Sequence, residues 1–187
     1  SLLSSNIAMM IGGREYYMLP TAGYYFLKVP DFEMSFEAFM STIEAEPLAI
    51  DAYMSCAEII LKLPQSLQLP YLERFLELLT PPQHHARDAY VLTALRGLLD
   101  NESFRVVIFH FLNQDVYQQT GYIEILEALL ETDSYKSKKL LGTALRLNPQ
   151  NALALRKKAW IASTNDEAEE AKKIMEHAIA LAPNLPK

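Results

Sequence analysis

Histidine is the side chain that most often serves metal binding and acid–base catalysis near neutral pH, and this chain has four. None of them forms, beside a carboxylate, the i, i+4 pair that binds zinc on a helix. His84 and His85 fall between Pro82 and Arg87 and are predicted to lie in a solvated turn. His110 occurs in an apolar helical stretch, which favours a hydrogen-bonded core histidine. We therefore predict no metal site.

Nucleophilic catalysis would require an activated hydroxyl or thiol, and the one cysteine is Cys56. It stands beside Ala57 in the apolar stretch 53–61, so we interpret it as a small hydrophobic residue packed between helices. No Gly-x-Ser-x-Gly sequence is present, and Gly12-Gly13 lacks the helix and lysine of a phosphate-binding loop. We predict no catalytic residue and no cofactor, and therefore a protein that is not an enzyme.

Charge is distributed unevenly along the chain, whose formal net charge is −6. Residues 1–133 carry 7 Lys or Arg against 18 Asp or Glu, whereas residues 134–187 carry 10 against 5. A nucleic acid is disfavoured as the ligand of this segment, because proteins that bind one usually present a large basic patch. The basic last third favours a protein or peptide partner that is acidic, although ordinary solvated helix faces explain the same asymmetry.

Composition also bears on the compartment. A single cysteine excludes an intrachain disulfide and fits a reducing compartment. No apolar run approaches the roughly 18 residues of a membrane-spanning helix. We predict a cytoplasmic protein without a membrane span. Because the chain begins at Ser1 without a methionine, it is also expected to be a fragment or a processed form.

Prolines divide the sequence into periods. Pro47, Pro81, Pro149 and Pro183 fall on one lattice of 34 residues, and Asp115 occupies the remaining point. Proline lacks an N–H and clashes with the preceding turn, so each one is predicted to end a helix. Apolar segments with helical spacing precede the lattice points, and the clearest is 168–181. Second breaks within the periods, predicted at 64–69, 99–103, 131–134 and 163–166, imply two helices per period.

The last period resembles the tetratricopeptide repeat, a 34-residue pair of helices with small residues at fixed positions and a closing proline. The residues that carry this resemblance are Ala159, Ala171, Ala178 and Pro183 in the unit 152–185, and Leu141, Ala144 and Pro149 in the unit 118–151. Departures from the family pattern include Leu155 at the first aromatic position. The resemblance covers about residues 31 to 185 and implies an all-α, TPR-like superhelix of helix pairs.

The first thirty residues differ from the rest. Apolar and aromatic runs flank Gly12-Gly13, a plausible hairpin turn, and Pro20 and Pro30 exclude a long helix. We predict a domain 31–187 of helical repeats and, for 1–30, either an irregular or β-hairpin cap over the open end of the first helix pair or the remnant of an upstream winged-helix domain.

The resemblance also implies where a partner would bind. In such solenoids the first helix of each pair lines the concave groove, which places Tyr122, Leu126, Arg156 and Trp160 on the predicted binding surface. An alternative interpretation is that Leu126 and Trp160 fill the interface between adjacent repeats. Tyr122 and Arg156 fit that alternative less well, because one is amphipathic and the other charged.

These observations predict a non-catalytic interaction module that holds a protein or peptide in the groove of a helical-repeat solenoid. Two alternatives stay open. In the first, the chain is the sensory or regulatory part of a larger transcriptional activator. In the second, it is a non-catalytic helical domain of an enzyme. An upstream recognition helix would select the first alternative, and a downstream catalytic motif the second.

Overall fold

The computed structural model describes residues 31–79, 84–165 and 167–185, and in these ranges every regular element is a helix. The all-α prediction is thus confirmed for this part of the chain. Predictions about the cap at 1–30 and about Pro81 lie outside the described residues. The helices are α1 (Phe32–Ala45), α2 (Ile50–Lys62), α3 (Gln65–Leu76), α4 (His85–Arg96), α5 (Glu102–Leu112), α6 (Tyr122–Leu130), α7 (Ser134–Leu147), α8 (Ala152–Thr164) and α9 (Ala168–Leu181), with single 3₁₀ turns at Glu77–Leu79 and Asp115–Tyr117.

Short polar side chains start several of these helices. The carboxylate of Asp133 accepts a hydrogen bond from the N–H of Lys136 at 2.9 Å, and the amide oxygen of Asn151 accepts one from Ala154 at 3.0 Å. Each bond satisfies an N–H that has no partner within its helix. Similar caps at Asp31 and Asn101 start α1 and α5.

Proline marks the helix ends as predicted at three lattice points. Pro47, Pro149 and Pro183 each follow directly on the residue that caps α1, α7 or α9. The predicted break at 64–69 is wrong in extent, because α3 begins at Gln65 and contains Pro70. Burial of Leu72, Phe75 and Leu76 on the following turns offsets the hydrogen bond that Pro70 cannot make.

Helix α4 lies at the centre of the fold. Eight of its twelve residues are buried, and it packs against α2, α6 and α8. Around it, α1 with α2, α6 with α7, and α8 with α9 pack as pairs. A helix that is buried on most of its circumference has no solvent face, so α4 lacks the polar stripe of its neighbours.

The chain returns to its own beginning after α9. The side-chain N–H of Asn184 donates to the carbonyl oxygen of Leu48 at 2.8 Å, and the backbone N–H of Asn184 donates to the Tyr90 hydroxyl at 3.3 Å. Leu48 precedes α2, and Tyr90 belongs to α4. Residues 182–185 thereby connect the last helix pair with the first.

A buried polar pair joins α4 to α6. The hydroxyl of Tyr122 donates to Oδ2 of Asp88 at 2.6 Å, and the backbone N–H of His84 donates to the same oxygen at 3.0 Å. Burial raises the pKa of Asp88, while the bonds from Tyr122 and His84 and the Arg87 charge oppose that rise. These hydrogen bonds position the carboxyl group, but ionising it inside the protein costs free energy because the charge is no longer hydrated.

We expect the wild type to lose stability relative to Asp88→Asn as the pH rises above about 4. The unfolded carboxyl group releases its proton near pH 3.9, and the folded one at a higher pH. In the window between these values the folded state binds more protons, so the free energy of unfolding falls with rising pH. Urea unfolding of both proteins between about pH 4 and pH 7 measures this difference. If the free energy of unfolding of the wild type rose relative to that of Asp88→Asn over this pH range, the raised pKa of Asp88 would be contradicted.

Within the described ranges, no helix combines the length and the apolar character needed to cross a membrane.

Candidate functional site

Tyr122 and Leu126, two of the four predicted binding residues, belong to the core. Tyr122 is 1% exposed and Leu126 is 0% exposed. Both lie on α6, which packs against α4, α7 and α8, and the Tyr122 hydroxyl is occupied by Asp88. Their burial therefore speaks against the predicted role as exposed partner-binding residues, and for Leu126 the alternative, an interface between repeats, agrees with its burial.

Arg156 and Trp160, the other two predicted residues, lie together at an open surface. They stand one turn apart on α8, so their side chains share a face. Trp160 is 56% exposed, whereas Arg156 is half-buried. Both line a cavity of about 420 Å³ between α8, α9 and the segment 182–185.

Apolar residues of α9 and the C-terminal segment form most of the cavity wall. Ile179, which is 53% exposed, lies in α9 together with Met175 and Ala178, and Leu185 closes one side. Exposed large apolar side chains that meet in one concave place are typical of a binding surface. We call this concavity the Trp160 cavity.

Two further clefts meet at Trp160. One, of about 390 Å³, lies against the α6–α7 connection and is lined by Ser134 and Ser137. The other, of about 300 Å³, is lined by Leu129 and Leu153 and also includes Arg156. The indole thus stands at the junction of three concave surfaces. An exposed aromatic side chain in such a position has the character of an interface anchor.

The charged residues around Trp160 are two cations, Arg156 and Lys157, and one acid, Glu131, which lines the cleft at the α6–α7 connection. Partial burial lowers the pKa of Arg156, and it also lowers that of Lys157, to which the nearby charge of Arg96 contributes. The Lys157 ammonium lies 4.6 Å from the centre of the Trp160 ring, a cation–π contact. Among the described residues, neither Arg156 nor Lys157 has a carboxylate oxygen within 4 Å. The site therefore favours an anionic group in its occupant.

A comparison with known proteins finds no family model, no curated protein and no solved structure that matches this chain. The geometry of the site is therefore the basis on which a function can be assigned.

The residues considered for catalysis occupy other places. Cys56 is fully buried, and burial raises the pKa of its thiol, which makes it a poor nucleophile. His84 caps α4, where its Nδ1 accepts from the Arg87 N–H at 3.3 Å, and His85 is the first residue of that helix. His110 is exposed, so its prediction as a core histidine is wrong. Within the described ranges, no three potential metal ligands form a group.

Apart from Arg156 and Trp160, sequence reasoning placed none of the lining residues at a binding surface, and the large apolar ones that it missed are Met175, Ile179 and Leu185. Met175 and Ile179 lie in the segment 168–181, whose apolar spacing predicts a helix without indicating which of its positions stay open. The 34-residue period relates them to Leu141 and Leu145 of the preceding pair, but it does not indicate that the later positions are open. Those two residues pack on the core, while the later two face open space.

Proposed function

We propose that this chain is a TPR-like helical-repeat module that binds a segment of another protein in the Trp160 cavity and catalyses no reaction. The observation that carries this proposal is the position of Trp160. It is 56% exposed at the junction of three clefts, beside two cations without carboxylate partners. Tryptophan and arginine are the residue types most enriched among side chains that dominate binding energy.

The tetratricopeptide resemblance supports the same function. Helical-repeat proteins use extended concave surfaces to hold peptides, and the first helices of the pairs line those surfaces. Arg156 and Trp160 lie on the first helix of the last pair. The proposed binding surface is restricted to this pair, because Tyr122 and Leu126, the corresponding residues of α6, are buried.

A displayed library of random peptides of about 16 residues tests this function, with the wild-type protein as bait. Selected sequences are then synthesised and titrated. Trp160 is the single tryptophan of the chain, so its fluorescence reports directly on the cavity. We expect selected peptides to shift the Trp160 emission to shorter wavelength, because the indole becomes shielded from water.

Substitutions locate the binding surface in the same experiment. Measured by calorimetry, Trp160→Ala is expected to weaken binding of a selected peptide by about 30-fold, and Arg156→Glu by about 10-fold. Lys173→Glu is the matched control, because Lys173 is exposed on α9 and lines none of the three clefts. Selected peptides that bind the wild type and all three variants with equal affinity would refute the proposed function.

A further inference from the structure

The Trp160 cavity has a counterpart in the preceding helix pair. Four of its lining residues follow residues of the α6–α7 pair by 34 positions: Trp160 follows Leu126, Met175 follows Leu141, Ala178 follows Ala144, and Ile179 follows Leu145. Of the earlier positions, Leu126, Leu141 and Ala144 are at most 1% exposed, and Leu145 is partly buried against the core. In the later pair Ala178 is buried as well, but Trp160 and Ile179 are more than half exposed. The same surface is thus closed in one pair and open in the next.

A helix accompanies the closed surface. Helix α8 packs against both α7 and α6, alongside the groove that these two helices form. Burial of an apolar groove by a neighbouring helix is the interaction that joins repeats in a solenoid. Among the described residues no helix follows α9, and the equivalent groove of the α8–α9 pair is the open Trp160 cavity.

The backbone that leaves the last pair has the geometry of the backbone that leads into α8. Asn148 after α7 has φ −136° and ψ 89°, and Ala182 after α9 has φ −146° and ψ 86°. Their N–H groups donate to the equivalent carbonyl oxygens of Ala144 and Ala178, at 2.8 and 3.0 Å. The α8–α9 pair therefore repeats the groove and its rim, and its shape suits a helix lying where α8 lies one period earlier.

Charge adds a requirement on the occupant. Arg156 is half-buried and lines the Trp160 cavity, yet among the described residues it has no carboxylate oxygen within 4 Å. A guanidinium in a partly dry site is stabilised most by a carboxylate that accepts two of its N–H groups. An occupant with an Asp or Glu facing Arg156 meets this requirement.

We infer that the occupant of the Trp160 cavity is an amphipathic α-helix of a partner protein, with apolar residues at i, i+3, i+4 and i+7 against Trp160 and Ile179 and an acidic residue against Arg156. This inference rests on the proposed function and adds the conformation and charge of the bound segment. A helix of about 12 residues spans about 18 Å, which is close to the length of α8.

The test uses the tightest peptide from the library selection and three variants of it. The first variant carries proline at its central position. In the second, the acidic residue that contributes most to affinity is changed to its amide. The third is a control in which a lysine of the peptide that does not contribute to affinity is changed to glutamine. We expect the central proline to weaken binding by about 30-fold or more, because it breaks a helix. Circular dichroism of the mixture is expected to show more helix than the separate components.

The acidic residue is assigned to Arg156 by a double-mutant cycle. Changing it to the amide is expected to weaken binding about 10-fold to the wild type and less than about twofold to Arg156→Gln, whereas Lys173→Gln keeps the full effect. A peptide whose affinity depends on Trp160 but which tolerates the central proline and gains no helix would overturn this inference and leave the proposed function standing. Equal effects of the amide on wild type and Arg156→Gln would overturn the charge pairing. If Trp160→Ala instead left the affinity of the selected peptide unchanged, the proposed function itself would be refuted.

Discussion

Replacement of Gly121 with alanine is expected to destabilise the protein by about 2–4 kcal/mol. Gly121 has φ 71°, in the left-handed region that residues with a Cβ rarely adopt, and it directly precedes α6. A Cβ at this position would lie 2.9 Å from both the Cα and the carbonyl oxygen of Ala144 on α7. Neither contact can be relieved by rotating a side chain, since both atoms belong to the backbone. Urea unfolding followed by circular dichroism measures the loss.

Gly142→Ala is the matched control for that substitution. Gly142 lies within α7, and an added Cβ there would meet no atom within 4 Å. Since alanine is favoured over glycine in a helix, we expect a gain of about 1 kcal/mol. Opposite signs at the two glycines are thus the expected result. If Gly121→Ala matched the gain of Gly142→Ala, the close approach of α6 and α7 would be wrong.

Leu126→Ala and Trp160→Ala are expected to differ widely in stability although the two residues are related by one period. Leu126 is fully buried, so its truncation is expected to cost about 2–5 kcal/mol in free energy of unfolding. Trp160 is more than half exposed, and its truncation is expected to cost less than about 1 kcal/mol. The comparison requires circular dichroism, because Trp160→Ala removes the only tryptophan. A large loss at Trp160 would mean that the indole supports the fold and is not free for binding.

Local chemistry allowed the helices to be predicted with fair accuracy. Segment 168–181 was predicted as a helix and coincides with α9, because its apolar residues recur at helical spacing and Pro183 follows its end. The break predicted at 64–69 is correct at Pro64, which separates α2 from α3, and wrong beyond it, because α3 continues through Pro70. Proline signals a break without indicating how much apolar burial opposes it. In α3 that burial, at Leu72 and Phe75, is what prevails.

The candidate site was predictable only in part. Spacing of four residues correctly places Arg156 and Trp160 on one face, but the same spacing holds for Tyr122 and Leu126 in the core. The difference lies in which other helices pack across each face, and that depends on contacts between residues far apart in sequence. Helices α4, α7 and α8 all pack against α6, and the 34-residue lattice does not indicate the central position of α4.

The return of Asn184 to the first helix pair has a consequence for how the protein unfolds. An array of repeats that touch only their neighbours frays from its ends, so its terminal helices exchange their amide hydrogens first. Here Asn184 is bound to Leu48 and Tyr90, 136 and 94 residues away, and α8 packs directly on α4. Loosening of the last pair must release these contacts and so weakens the beginning of the chain as well. We therefore expect the amides of α2 and α9 to lose protection together, as parts of one cooperative unit.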